Sequence, residues 1–187
     1  MKLLVIVGST RPGRVGRPIA DWFVDRAAEH GGFEVDLGDL GEINLPLLDE
    51  PAHPATGQYI HQHTKDWSAR VAAADAIVMV MPEYNHSYTA ALKNAIDYLN
   101  KEWAYKPVGL VSYGGVPGGL RAVQALKPVF TALRMTVIND AVTIPMVKTM
   151  MRDGVFEPND IVTASVKPML DELVKLARVL GELREAA

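Results

Sequence analysis

Three short polar stretches interrupt an otherwise apolar chain, and their residue types suit an anion held beside a flat ring. The first is Gly8-Ser9-Thr10-Arg11-Pro12-Gly13-Arg14-Val15-Gly16-Arg17. It leads into a helical pattern, so backbone N–H groups without intrahelical partners face this loop and the helix dipole favours negative charge there. Ser9 adds a hydroxyl donor and Arg11 a guanidinium fork, while Arg14 and Arg17 add charge or face water. A phosphate is the expected guest, with Arg11 its main side-chain partner. Walker-type chemistry does not fit. Gly8 and Gly13 have the P-loop spacing, but Arg14-Val15 stands where Lys-Ser/Thr is needed. The dinucleotide fingerprint also fails, because Ser9-Thr10 follows Gly8, although Asp36 and Asp39 lie near the distance of its ribose acid.

The second stretch is Pro82-Glu83-Tyr84-Asn85-His86-Ser87 and the third is Ser112-Tyr113-Gly114-Gly115. Pro82 and Tyr84 offer a rigid apolar ledge and an aromatic. Asn85, Ser112 and the Gly114-Gly115 amides offer donors and acceptors to the edge of a planar ring. Phosphate in one loop and a polar-edged ring between the other two describe flavin mononucleotide (FMN). A cofactor of this kind carries its own chemistry. No side chain is therefore singled out as catalytic, and Glu83 is read as a loop carboxylate that shows its backbone to the ring. His53, His61 and His63 are read as solvent-facing, with the last two pointing apart on a helix, so no metal site is expected.

Positioning these loops requires strands. Residues 3–7 (LLVIV), 76–81 (AIVMVM) and 107–112 (PVGLVS) are short apolar runs of the kind buried on both faces of a parallel sheet. Phe33, Val35 and Leu37 alternate with acids as a second strand, and Met135, Val137 and Ile138 make the fifth. Helical patterns lie between them: Ile19, Trp22, Phe23 and Ala27; Ile60, Trp67 and Val71; Leu92, Ala95, Ile96 and Leu99, with Ser87 as an expected N-cap; and Ala122, Leu126, Phe130 and Leu133. Met169, Leu173, Leu176, Leu180 and Leu183 form the last helix. Pro128 and Pro168 should kink or shorten their helices. Residues 40–57 and 145–158 are read as long loops, with Met150-Met151 as packing residues in the second. Trp103 and Tyr105 suit core or interface. The alternation predicts one α/β domain over residues 1–187, a three-layer sandwich with the polar loops at the carboxyl ends of its strands, where ligands of such sheets bind.

Composition narrows the partners. Net charge is -3, without the basic excess of a nucleic-acid binder. The chain contains no cysteine, which excludes disulfides, thiolate catalysis and cysteine-held metals. No apolar run has the length of a membrane span, and residues 1–8 read as a strand and not a leader, so a cytoplasmic protein is expected.

At Gly8-Ser9-x-Arg11, at Pro82-Glu83-Tyr84-Asn85-x-Ser87 followed by Leu92-Lys93-Asn94-Ala95-Ile96-Asp97, and at Ser112-Tyr113-Gly114-Gly115 with Gly118-Gly119, the chain resembles the NADPH-dependent FMN reductase family. That family includes quinone, azo-dye and chromate reductases. The resemblance spans roughly residues 1–140. It implies a flavodoxin-like, five-stranded parallel sheet in the order 2-1-3-4-5. It places FMN phosphate on Ser9, Arg11 and the 14–18 turn (Arg14, Gly16, Arg17, Pro18). The isoalloxazine would lie on Pro82, Glu83, Tyr84 and Asn85, with its pyrimidine edge near Ser112, Tyr113, Gly114 and Gly115. The family commonly has Ser and Asn where this chain has Arg14 and Gly16, so guanidinium or backbone N–H must replace those contacts. The implied reaction is ping-pong: hydride from NADPH or NADH to flavin N5, then two electrons to a small-molecule acceptor such as a quinone or free flavin. A homodimer or homotetramer is implied as well. The alternatives are a flavodoxin-type electron carrier, which is usually much more acidic, and a phosphate-ester or nucleotide-binding domain without flavin.

Overall fold

A computed structural model describes residues 1–185. Strand β1 (Lys2–Val7) lies parallel to β2 (Glu34–Asp39) on one side and to β3 (Ala76–Pro82) on the other. Strand β4 (Pro107–Tyr113) follows β3, and β5 (Thr136–Val137) pairs with the start of β4, so the order is β2-β1-β3-β4-β5. The expected fifth strand over 135–138 is shorter than its pattern suggested. Asn139-Asp140, poor strand formers, interrupt it. The edge then resumes as β6 (Val142–Ile144), also parallel to β4 and registered on Val111–Tyr113.

Side-chain alternation sorts the helices onto two faces. Leu3, Val5 and Val7, with Ala76, Val78 and Val80, pack under α1 (Gly16–His30) and α6 (Asp160–Glu185). Leu4, Ile6, Ile77, Met79 and Met81 face the other way. That face is covered by α2 (Leu40–Ile43), α3 (Gln62–Ala72), α4 (Ala90–Asp97) and α5 (Leu120–Ala132). Strands β3 and β4 are buried along their whole lengths, which is why they read as continuous apolar runs. Each fully buried aliphatic side chain contributes about 1.5–3 kcal/mol relative to exposure.

Pro128 and Pro168 lie inside helices that continue through them. Each removes one N–H, and the carbonyls thereby freed, on Gln124 and Ala164, sit at exposed positions. The N-cap of α4 is Thr89 and not Ser87: its Oγ1 accepts from Leu92 N at 3.1 Å and donates to the carbonyl of Gly8. One hydroxyl thus joins the start of α4 to the first polar loop. Ile60 precedes α3 and is exposed; the buried face of that helix is Thr64, Trp67 and Val71.

Trp103 is core. Its ring packs edge-on against Trp67 at 6.2 Å, and the two indole N–H groups donate to Ile96 O and Ala95 O near the end of α4. Tyr105 is half-buried with φ 58°. The 40–57 stretch carries α2 and is tied to α4 by Asn94, which accepts from Leu48 N at 2.9 Å and donates to Pro46 O at 2.7 Å. In the 145–158 stretch, β7 (Met151–Arg152) and β8 (Val155–Phe156) form a hairpin. Met150 and Met151 pack there against the α1–α6 core. His61 stands just before α3, and its ring stacks on that of His63 at 5.1 Å, so the two do not point apart. His63 Nε2 lies 2.9 Å from Asp49 Oδ1. Among the described residues no group of three or more His, Cys, Asp or Glu is arranged to hold a metal, and no helix is long and apolar enough to cross a membrane.

Lys106, just before β4, is buried, and its ammonium donates to the carbonyls of Val71 and Ala72 at the end of α3, where the helix dipole favours a cation. Burial, reinforced by the nearby charge of Arg184, still pulls the Lys106 ammonium down to about 8, from 10.5. Between those values the unfolded chain binds more protons than the folded one, so this group makes stability rise with pH. The expected gain is roughly 1 kcal/mol per pH unit between pH 8 and 10.5. Urea denaturation of wild type and Lys106→Met at pH 7, 8 and 9.5 checks it: the variant should lack this rise, and an equal rise in both proteins would refute the assignment.

Candidate functional site

The three polar stretches meet at the carboxyl ends of β1, β3 and β4, around a cavity of about 280 Å³. Arg11, Arg14 and Val15 supply one wall. Pro82, Glu83 and Tyr84 supply the second, and Tyr113, Gly114 and Gly115 the third. A fourth wall comes from Met146, Val147 and Lys148, which the sequence reading missed. The signal lies in the backbone: Met146 N donates to Gly115 O at 2.8 Å and Val147 N to Gly114 O at 3.0 Å, lacing this segment to the third stretch. Nothing in local residue type announces such lacing.

The first loop is held from beneath. Gly8 N donates to Val80 O at 2.9 Å, and Arg14 N to Arg11 O at 3.1 Å, closing a turn. Ser9 is fully buried behind the cavity wall, and its Oγ accepts from the Tyr113 hydroxyl at 3.1 Å. Gly16 opens α1 directly against this pair: a Cβ there would stand 2.3 Å from Ser9 Oγ and 2.5 Å from Tyr113 Oη. The helix has no side-chain N-cap, so its first N–H groups remain available. Burial pushes the Tyr113 phenol well above its usual range, against the pull of Ser9, Arg14 and Arg11, so it stays protonated as a donor.

The arginines divide. Arg11 is exposed, and among the described residues its guanidinium bonds only to its neighbour's carbonyl, Pro12 O, at 3.3 Å. Arg14 lines the cavity but its Nη2 pairs with the buried Asp39 carboxylate at 2.6 Å, while its Nε–H is buried without a partner among the described residues. Arg17 is not brought to the cavity. It turns to Asp21 (2.8 Å), Glu42 (2.5 Å) and Asp39 (3.3 Å), acids the chain places on α1, in α2 and at the end of β2. Pro18, half-buried in the first turn of α1, also stays off the wall. Asp36 is gripped by Arg70 at 2.5 Å, which holds its carboxyl below the usual range.

In the second stretch, Tyr84 and Ser87 exchange backbone hydrogen bonds of 2.9 and 3.0 Å around a tight turn. Asn85 and His86 occupy its corners with φ 49° and 67°, the left-handed pair a type I′ turn requires. Asn85 is exposed at the tip and does not line the cavity. Pro82 is buried and Tyr84 is exposed, and both line the cavity. The Glu83 carboxylate is engaged by one residue: it accepts from Arg121 N at 3.1 Å and pairs with the Arg121 guanidinium at the start of α5. Burial alone would raise that carboxyl, but the Arg121 contacts outweigh it and hold it below the usual range.

The third stretch is corrected in two details. Ser112 is buried and donates to Gly118 O at 2.8 Å, so it shapes the turn and does not face a ligand. Gly114 N is already donated to Ile144 O at 3.2 Å. The amide left open on this wall is that of Gly115.

These features fit a phosphorylated flavin. An orphaned guanidinium N–H and a helix N-terminus, packed at Gly16 so closely on a buried hydroxyl pair that no Cβ fits, adjoin an apolar slot with an open amide. Parallel order 2-1-3-4-5, helices on both faces and a ligand slot at the rim define a flavodoxin-like α/β protein. The family model described as NADPH-dependent FMN reductase matches residues 1–149. The chain is 40% identical over 187 residues to an NAD(P)H-dependent FMN reductase of Schizosaccharomyces pombe, covering 99% of this chain and 86% of that one. It is 32% identical over 176 residues to an NADPH azoreductase of Bacillus sp. strain OY1-2, covering 94% and 89%. Among solved structures, the flavoenzyme NAD(P)H:(acceptor) oxidoreductase FerB of Paracoccus denitrificans has a TM-score of 0.72 at 22% identity, covering 95% of this chain and 97% of that one. A flavodoxin of Streptococcus pneumoniae has a TM-score of 0.59 at 13% identity, covering 94% and 99%, a likeness of fold. The chain belongs to the NADPH-dependent FMN reductase family and is an oxidoreductase.

Proposed function

We propose that the chain, acting as one flavodoxin-like unit, holds FMN in the rim cavity and passes electrons from NADPH or NADH to a small-molecule acceptor such as a quinone or free flavin. The observation carrying this reading is the joining of an anion cradle to an apolar slot in one cavity of about 280 Å³. When bound, FMN would supply hydride acceptance from a nicotinamide and two-electron delivery to an acceptor. The protein's part is placement. Arg11, the Arg14 Nε–H and the first N–H groups of α1 would hold the phosphate, with the buried Ser9–Tyr113 pair bracing the loop beneath them. Pro82, Tyr84 and Tyr113 would flank the ring. The Gly115 N–H would donate to its pyrimidine edge and favour negative charge there. Glu83, locked on Arg121, moves no proton. Lys148 and Arg11 leave the mouth cationic, which suits an anionic donor such as NADPH. Tyr84, Met146 and Val116, exposed at 39%, 50% and 80%, give that mouth an apolar rim, which supports a homodimer or homotetramer meeting near it.

The test is a spectrum of FMN-loaded protein before and after anaerobic addition of NADPH or NADH. Bleaching on the timescale of turnover, reversed by a quinone, is the expected result. A flavin that photoreduces but ignores both nucleotides would mark an electron carrier. Protein that stays colourless after FMN addition would refute the reading.

A further inference from the structure

We propose that Lys148 is a specificity-determining residue that makes the cavity favour electron acceptors whose aromatic ring carries an anionic group, such as a sulfonate or carboxylate, over their neutral counterparts. This rests on the cavity being the flavin and acceptor site. Lys148 lines the cavity from an exposed position. It is carried by a pinned turn. Met146 N and Val147 N donate to Gly115 O and Gly114 O, and Thr149 N closes back on Met146 O at 2.8 Å. Val147 is buried, and Met146 takes φ 48°, in the left-handed region that a residue with a Cβ seldom adopts. The backbone beneath Lys148 is therefore fixed against the third stretch, which keeps the lysine at the mouth.

The local charges leave this lysine open. Glu83, the carboxylate on the cavity wall, is taken by Arg121, and Asp39 is taken by Arg14 and Arg17. Among the described residues no acid pairs with Lys148 or with Arg11. These two cations mark opposite ends of the slot. Val7, Val80, Val111 and Val142 lie in one register row across β1, β3, β4 and β6. Arg11 follows the first strand of that row and Lys148 the last, and three strand spacings, roughly 14 Å, separate those strands. A phosphate cradled by Arg11 and the start of α1 therefore leaves Lys148 without an anion. Beside the lysine the wall is apolar. Met146, on the same turn, offers an exposed and adaptable thioether to a flat ring. An apolar contact and one unpaired cation on a single turn suit a ring with one negative substituent. A neutral quinone would use the apolar part alone and leave the ammonium to water. Arg152 gives the comparison. It is an exposed cation on the adjoining hairpin, off the cavity wall, and its guanidinium donates to Thr149 O at 3.1 Å and Met151 O at 3.2 Å.

The experiment uses FMN-loaded wild type, Lys148→Met, Lys148→Arg, Lys148→Glu and Arg152→Met. Kd for naphthalene-2-sulfonate and for its neutral isostere naphthalene-2-sulfonamide is read from the shift each causes in the flavin absorption spectrum. Lys148→Met should weaken the sulfonate about fivefold, the upper end for an exposed ion pair, and the sulfonamide by less than about twofold. Lys148→Arg should keep the preference for the sulfonate, Lys148→Glu should lower it further than Lys148→Met, and high salt should erase it in wild type. The same pattern should appear in kcat/KM for 1,4-naphthoquinone-2-sulfonate against 1,4-naphthoquinone, with FMN affinity unchanged in every variant. Equal weakening of sulfonate and sulfonamide, an equal effect of Arg152→Met, or a loss confined to FMN or to NADPH would overturn the proposal without touching the functional reading. Wild type that takes up no FMN would refute that reading, and the proposal with it.

Discussion

Gly16→Ala is expected to weaken FMN binding about 100-fold or more, equivalent to roughly 2.7 kcal/mol. Helix propensity argues the other way, since alanine is better than glycine by about 1 kcal/mol inside a helix. Space decides the matter. The added methyl would sit 2.3 Å from Ser9 Oγ and 2.5 Å from Tyr113 Oη, inside any allowed contact. Both oxygens are buried, so the clash is relieved only by breaking their hydrogen bond or by moving the start of α1 outward. Either shift fills or spreads the cradle read as the phosphate site. Overpacking of this kind should also cost about 1–3 kcal/mol of stability. Fluorescence titration with FMN and thermal unfolding without it separate the two effects. Unchanged FMN affinity in a folded variant would show that the loop does not hold the phosphate.

A second large effect is expected for Gly119→Ala, this time on the fold around the ring wall. Gly119 has φ +89°, a conformation that costs a residue with a Cβ about 1–3 kcal/mol. Its methyl would meet Ser112 Cβ at 2.8 Å and Tyr113 N at 2.9 Å, and the second of these is backbone that cannot swing aside. Strain and clash together should lower stability by roughly 3 kcal/mol. They should also shift Tyr113 and Gly114, with loss of flavin affinity as the visible consequence. Ser112→Ala gives the comparison: it removes one bond to Gly118 O and should cost only about 1 kcal/mol. Urea unfolding of both variants tests the ranking, and equal losses would count against it.

The two variants act on different parts of one assembly. Gly16 guards the contact between the first loop and Tyr113. Gly119 guards the path by which β4 turns into α5. The electrostatics follow the same division. Arg121 neutralises Glu83, and Asp39 holds Arg14 and Arg17, so the acids near the cavity stabilise its walls and leave the interior cationic.

Much of this was legible in residue order. Buried parallel strands need apolar side chains on both faces, so LLVIV, AIVMVM and PVGLVS announced three central strands. Crossover connections then fix which strand ends share a rim, which brought Arg11, Tyr84 and Gly115 together before any coordinates. Other features were not legible. Ser112 reads as a donor to a ring edge, yet it holds Gly118, and nothing local shows that Glu83 pairs with Arg121 or that Asn94 ties down the 40–57 stretch. A polar side chain beside a site has the same local signature whether it serves a ligand or a neighbouring backbone group.

By itself the sequence determined the strand periods, the loop chemistry and therefore the class of ligand, because hydrophobic alternation and helix-terminal donors are local properties. Tertiary structure alone decided which way each polar group turns. Arg17 left the cavity for acids as far off in sequence as Glu42, Tyr113 reached across to Ser9, and Met146–Lys148 closed the fourth wall through bonds to Gly114 and Gly115. Those choices depend on partners many residues away, whose positions exist only once the sheet has formed.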